Sequence, residues 1–189
     1  MKPDPHPWAS DLAGLHAEVW LRLMRGVHDR HAPTRHPTLA TVSPDGRPQA
    51  RTVVLRAADK AAGTLDIHTD LRSAKVEDLR ATPFAALHVW EASAHLQLRL
   101  EAQVTLLTGP NVAAIWDRVP DTSRGAYGSK PAPGQPIAEA LDYTKAADPW
   151  CFAVVRLEIL MVDALHLGPN HRRARFDRDT GWEGVWLAP

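Results

Sequence analysis

From Leu96 to Leu106 the chain alternates without a break. Leu96, Leu98, Leu100, Ala102, Val104 and Leu106 are apolar, and Gln97, Arg99, Glu101, Gln103 and Thr105 between them are polar. A period of two puts these sets on opposite faces, which an extended strand does and a helix does not. One apolar and one polar face mark a half-buried strand of an antiparallel sheet. Candidate partners flank it. Thr38–Ser43 and Ala50–Ala57 read as strands around the turn Pro44-Asp45-Gly46-Arg47. Thr64–Thr69, Phe84–Trp90, Phe152–Leu167, His171–Asp177 and Trp182–Leu187 read as further strands. Short strands with Gly and Pro turns and few helices predict an antiparallel barrel, mainly β with peripheral helices.

The helical signals lie at the margins. Ser10 is placed to cap a helix carrying Leu12, Leu15, Val19, Trp20, Leu23 and Val27. Pro110–Val119 reads as helical, and Asp70 could cap a helix carrying Leu71, Ser73, Lys75 and Leu79. Pro3, Pro5 and Pro7 predict a loose lead-in over residues 1–9. Pro120 to Pro149 is a polar, proline-rich connection, long enough to be functional or mobile.

The chain of 189 residues is expected to form one domain spanning 1–189. Lys plus Arg and Asp plus Glu are both 22, and this balance argues against non-specific binding to nucleic acid or a membrane surface. Cys151 is the single cysteine, so no internal disulfide can form. With no signal-like apolar core and no bilayer-length apolar run, a soluble cytoplasmic protein is expected. His28, His31 and His36 form the closest histidine group, but Pro33 breaks their spacing and no carboxylate or cysteine joins them, so no metal site is expected. His88 is expected to be a core or edge histidine. Arg172, Arg173 and Arg175 lack the interleaved aromatics of a nucleic-acid surface.

The chemistry concentrates between Arg51 and Lys75. Arg51 and Arg56 bracket a β-branched run, and on one strand they stand roughly 17 Å apart at about 3.3 Å per residue, pointing to opposite faces. Thr69, Ser73 and Lys75 put hydroxyls and an ammonium at a strand end and the first turn of a helix, where free N–H groups favour an anion. From spacing alone, a phosphate cradle and a set of solvated surface charges both remain open.

Arg51-Thr52-Val53-Val54-Leu55-Arg56, His68-Thr69 followed by Ser73 and Lys75, Leu96-Gln97, and the ending Arg173-Ala174-Arg175-Phe176 through Trp186-Leu187-Ala188-Pro189 stand in one order. In that order they resemble pyridoxamine 5′-phosphate oxidase and its relatives, which are FMN-binding split β-barrels. The resemblance runs from about Pro37 onward and is nearest to the shorter relatives with the loop Pro131-Ala132-Pro133-Gly134. It implies an antiparallel split barrel that holds FMN along Arg51, Thr52, Val53, Val54 and Arg56, with Arg51 at the phosphate and Arg56 near the flavin ring and the substrate. It further implies phosphate contacts from Thr69, Ser73 and Lys75. His68 stands in the place of a tyrosine, and Ala74 in the place of a basic residue whose charge Arg72 would supply. Gln97 would reach the flavin of a partner subunit, which implies a homodimer with flavins at the interface, and Arg175 would contact flavin. The substrate half departs further. His171-Arg172-Arg173 stands where an arginine and a histidine hold the substrate, a flavin-stacking tryptophan is replaced by Leu165 or His166, and Trp116, Arg118 and Ser123 correspond only loosely to the family's tyrosine, arginine and serine. The expected activity is hydride transfer from a small substrate to flavin N5, with weak or absent turnover of pyridoxamine 5′-phosphate. The alternatives are an FMN-binding carrier, sensor or scavenger, or a same-fold flavin reductase or haem- or deazaflavin-using protein.

Overall fold

The computed structural model describes residues 4–189. Its strands are β1 (Thr38–Val42), β2 (Pro48–Thr52), β3 (Leu55–Asp59), β4 (Thr64–Asp70), β5 (Phe84–Glu91), β6 (Leu96–Thr108), β7 (Phe152–His166), β8 (Arg172–Asp177) and β9 (Gly184–Leu187). The helices are α1 (Leu12–His28), α2 (Ala74–Ala81) and two single turns, α3 (Ala113–Trp116) and α4 (Asp121–Arg124). Every described strand pairing is antiparallel, and the hydrogen-bonded path runs β2-β1-β5-β6-β7-β4-β3, with β8 on β7 and β9 on β8. The mainly β architecture with peripheral helices is the one the alternation predicts.

β2 and β3 are the two ends of that path although two residues, Val53 and Val54, separate them in sequence. The single strand expected over Ala50–Ala57 is therefore two strands on opposite margins of a barrel, and the split lies where the chain crosses between them. Val53 N–H donates to the Pro37 carbonyl at 3.0 Å, which pins the crossing to the start of β1. Local β propensity marks extended backbone but is blind to a change of partner, and partners are what divide this run.

β6 follows its pattern closely. Leu96, Leu98, Leu100, Ala102 and Val104 are buried, and Arg99, Glu101 and Gln103 are exposed. A register shift after Glu101 bends the long β6–β7 ribbon, as a bulge does. The main core fills the barrel with Leu39, Leu55, Leu65, Ile67, Leu87, Val155 and Leu157, and α1 seals one opening with Leu15, Val19, Trp20 and Leu23. Asp11, not Ser10, caps α1, accepting from Gly14 N–H at 2.6 Å. Ser10 instead closes a 3-10 turn over Pro7–Ser10.

Residues 4–9 are not loose. Ala9 is fully buried, His6 Nδ1 and His166 Nε2 lie 3.1 Å apart, and Asp4 pairs with Arg172. Prolines mark an extended lead-in, but the side chains between them find partners on β7 and β8. The expectation for residues 1–3 lies outside the described residues. His88 is exposed on β5 rather than in the core.

A second, smaller core lies on the outer side of β7. Phe152 and Val154 pack there with Val112, Val119 and Tyr127 from the connection after β6. This connection, expected to be long and polar, is thus anchored at its start by apolar burial. Its far part carries Leu141 and Trp150, which are exposed.

Candidate functional site

β4 alternates Leu65, Ile67 and Thr69 on its inner side with Asp66, His68 and Asp70 on its outer side. The two faces serve different constructions. On the inner side Thr69 Oγ1 lies 3.2 Å from Ser73 Oγ, and Lys75 Nζ donates to both at 3.0 and 3.1 Å. Ser73 occupies the N-cap of α2 without capping it, so its hydroxyl stays with Thr69 and Lys75. Asp70 does not cap this helix, because its carboxylate is taken up elsewhere.

Arg51 reaches the same place from β2. Its Nη1 donates to Thr41 Oγ1 at 2.5 Å and its Nη2 to Asp78 Oδ2 at 3.2 Å, while Thr41 Oγ1 donates to Asp78 at 2.6 Å. Burial, and then the Arg51 charge, hold the Lys75 ammonium below its ordinary range, with Asp70 and Asp78 opposing. Arg51 is partly neutralised by Asp78, but Lys75 is bound only to two hydroxyls in this half-buried corner, so an anion there would stabilise it. Arg72 lies in the turn before α2 rather than on it, and its guanidinium is turned away: Nε and Nη2 donate to Asp70 at 3.0 and 2.7 Å, and Nη2 to the Ser129 carbonyl at 3.0 Å. The compensating charge expected of Arg72 is therefore spent on Asp70.

Arg56 is the extra residue of a bulge, since the β3–β4 register passes from Leu55↔Ile67 to Ala57↔Asp66 and leaves Arg56 without a partner. The bulge and the break at Val53 together cancel the opposite-face argument for Arg51 and Arg56, because alternation does not carry across either. Arg56 turns to the outer side of β4. There it lines a cavity of about 400 Å³ with His68, Asp66, Arg156, Arg118 and Ser123. Arg156 donates to Asp66 through both Nε and Nη2, at 2.9 and 2.8 Å. The His68 ring meets the Phe152 ring edge-on at 5.0 Å. Burial, and then Arg56, push its pKa down to about 4, with Asp66 opposing, so the imidazole is neutral at pH 7. Behind it, Phe152 touches Tyr127 and Trp116 at ring separations of 5.0 and 5.2 Å. Burial pushes the Tyr127 hydroxyl upward, with Arg56 opposing.

A clip ties these groups to the cradle. Asp70 Oδ2 accepts from Gly128 N–H at 2.9 Å as well as from Arg72. Gly128 has φ +124°, and a Cβ there would come within 2.7 Å of the Asp148 Cβ, so only glycine fits. Residue 127 is thereby held one bond from an anchored backbone, beside the residue that follows Thr69.

The remaining expected residues stand on a third surface. Gln97 lies across from Trp90 on β5 and Leu165 on β7. Arg173 is paired with Asp163 through Nε and Nη2, at 3.1 and 2.7 Å, Arg175 with Asp177, and His171 is exposed before β8. Thr69 lies across from Ala153 on β7 and Gln97 across from Leu165, twelve residues further on. At about 3.3 Å per residue that is roughly 40 Å along the strand. Within one chain Arg51, Thr69, Ser73 and Lys75 meet, and Arg56, His68, Arg118 and Ser123 meet, but Gln97, His171, Arg173 and Arg175 join neither group.

The sequence alone does not single out Thr41, Asp78, Asp66, Arg156, Phe152 or Tyr127, and it offers Asp70 only as a helix cap. Asp66 and Asp70 were readable from their alternation with His68. Tyr127 was not, because its place depends on a contact between Gly128 and a strand 58 residues earlier.

The family model for the pyridoxamine 5′-phosphate oxidase FMN-binding domain matches residues 17–108, which include the cradle, Arg56 and Gln97. Pyridoxine/pyridoxamine 5′-phosphate oxidase 2 of Arabidopsis thaliana is 27% identical over 175 residues, 84% of this chain and 88% of that protein. The pyridoxine/pyridoxamine 5′-phosphate oxidase of Mycolicibacterium paratuberculosis is 35% identical over 125 residues, 63% of this chain but only 55% of that protein. Among solved structures, a pyridoxamine 5′-phosphate oxidase-related, FMN-binding protein of Nostoc punctiforme aligns over the whole of both chains with a TM-score of 0.74 and 27% identity. PhzG of Burkholderia lata, at 20% identity and a TM-score of 0.70, shares the fold. With this barrel, its split between β2 and β3 and these matches, the chain belongs to the pyridoxamine 5′-phosphate oxidase-related family of FMN-binding split barrels.

Proposed function

We propose that this protein binds FMN and acts as an FMN-dependent oxidoreductase on a small anionic substrate. The observation that carries the reading is the convergence of Lys75, Thr69, Ser73 and Arg51 on one half-buried corner. Their donors fit a phosphomonoester, whose oxygens would replace the hydroxyls as acceptors for Lys75. Bound FMN supplies hydride acceptance at its ring. The chain's own part is to fix the phosphate, to place the Arg56 charge beside the ring and to wall the neighbouring cavity with His68, which Phe152 and Tyr127 back. Arg118 and Ser123, beside Arg56, hold the substrate.

The residues of the third surface enter through a second copy of the chain. We place Gln97 and Arg175 of one protomer against the flavin of the other, because roughly 33–40 Å of strand separates them from their own cradle. Exposed Trp90 and Phe84 on β5 and Val185 and Leu187 on β9 share the face of Gln97 and Arg175 by register and supply apolar area there. Light scattering is expected to give twice the 20.8 kDa chain mass, and a monomer that keeps flavin tightly bound would refute the arrangement.

Titration of flavin-free protein tests the cofactor. FMN should quench and FAD should bind more weakly, since the cradle receives a terminal phosphate. Lys75→Ala and Arg51→Ala should each weaken FMN by about 1.5–3 kcal/mol. Unchanged affinity in both variants would remove the site.

A flavin-binding role without oxidase activity is the second reading, and Arg173 favours it. Its guanidinium is occupied by Asp163, so it cannot grip a substrate phosphate without giving up that pair. Oxygen consumption with pyridoxamine 5′-phosphate separates the two: an efficiency above roughly 10⁴ M⁻¹s⁻¹ would establish the oxidase. No described helix is long and apolar enough to cross a membrane. We place the protein in the cytoplasm, where an unpaired Cys151 is stable.

A further inference from the structure

The cavity on the outer side of β4 holds an unusual balance of groups. Arg56 from β3, Arg156 from β7 and Arg118 beyond α3 bring three guanidiniums to it, and Asp66 brings the one carboxylate, already paired with Arg156. Asp70, next along this face of β4, is likewise taken up by Arg72. Ser123 from α4 adds a hydroxyl, and α1 adds only Val27. His68 stands among these groups. Among the described residues nothing donates to or accepts from its ring nitrogens, yet its ring is held edge-on by Phe152. A neutral imidazole carries one N–H and one lone pair, and here the ring lines the same cavity as Arg56 and Arg118.

We propose that His68 is a specificity-determining residue of this cavity, binding the ligand's anionic group beside Arg56 and Arg118 and taking up a proton as that group arrives. The physical reason is charge. With the cavity empty, burial and the Arg56 guanidinium disfavour imidazolium. An anion seated between the guanidiniums cancels that repulsion and adds an acceptor for a second N–H, so the protonated form becomes the better partner. The proton comes from solvent and returns to it when the ligand leaves. Linkage makes the effect reciprocal: the anion raises the affinity of His68 for protons, and protons raise the affinity for the anion by the same factor. The ligand class is a small molecule bearing a carboxylate, sulfate or phosphate. Selection by this residue favours such a group over a neutral isostere, and increasingly so as pH falls.

The inference rests on the proposed function in that FMN fills the cradle, leaving this cavity as the remaining anion site. The test therefore uses flavin-loaded protein and sulfate, whose charge is constant between pH 5 and 8. Sulfate should bind roughly tenfold more tightly at pH 5 than at pH 7.5, and the His68 ring signals in NMR should titrate at higher pH with sulfate than without. His68→Gln keeps hydrogen-bonding capacity but cannot titrate, so its sulfate affinity should be independent of pH. If that variant does not fold, the wild-type His68 titration with and without sulfate decides alone. Equal pH dependence in wild type and His68→Gln, or a His68 midpoint that sulfate does not move, overturns the proposal. Failure to load flavin shows separately as unquenched flavin fluorescence and counts against the cofactor reading, not against this one.

Discussion

Phe152→Ala should cost about 3–5 kcal/mol of folding stability, the largest effect expected of any single substitution near the site. Phe152 is fully buried at the start of β7 and touches His68, Tyr127 and Trp116 within about 5 Å of its ring centroid. Truncation removes the transfer free energy of the ring and leaves a cavity that three different elements would have to close. For a chain of this length the loss corresponds to a fall in melting temperature of roughly 6–20 °C. Leu141→Ala, in the same connection but 81% exposed, should stay within about 0.5 kcal/mol of wild type. The substitution also reports on chemistry. Burial is the first cause of the low His68 pKa, so without the ring His68 should titrate above its present value of about 4, towards 6.5. A variant as stable as wild type, or one whose His68 is unmoved, would show that Phe152 does not organise this wall.

Asp70→Ala should cost about 2–4 kcal/mol, because one carboxylate accepts four hydrogen bonds. Its donors are Arg72 N–H, Nε and Nη2 and the buried Gly128 N–H. Burial works against the charged carboxyl, and the Arg72 guanidinium with the two backbone N–H groups outweighs it, so its pKa lies below the ordinary 3.8. The sign follows from that direction. A carboxylate depressed in the folded state contributes its full stabilisation above pH 3.8, and this is lost as pH falls through the lower folded value. Urea unfolding at pH 7 should separate wild type from Asp70→Ala by the full amount, and the gap should narrow below pH 4. The variant should also be cut sooner by protease between residues 130 and 147, since the clip at Gly128 is gone. A constant gap from pH 7 to pH 3 would show that the charge of Asp70 is not what holds the loop.

The legible part of this protein was what repeats locally or concentrates in a few adjacent residues. The alternation from Leu96 to Leu106 specified an antiparallel strand and its buried face, because a period of two has one structural meaning once a core is available. Thr69, Ser73 and Lys75 were legible as a possible cradle because a strand end followed by a helix start brings them together without any distant contact. Whether they faced a ligand or solvent was not decided by spacing. Arg51 arriving from β2, held by Thr41 and Asp78, turned three neighbours into a site.

The tertiary structure alone decided where the run from Arg51 to Arg56 changes margins of the barrel. Both halves are extended, and only the choice of β1 or β4 as partner distinguishes them. It also decided that Arg56 is bulged towards the cavity, that Asp70 serves a loop rather than a helix, and that Tyr127 lies beside Arg56. Each of these rests on one hydrogen bond or one register shift between segments far apart in the chain. Composition, propensity and periodicity are sums over neighbours in sequence, and a contact across 58 residues leaves no trace in them.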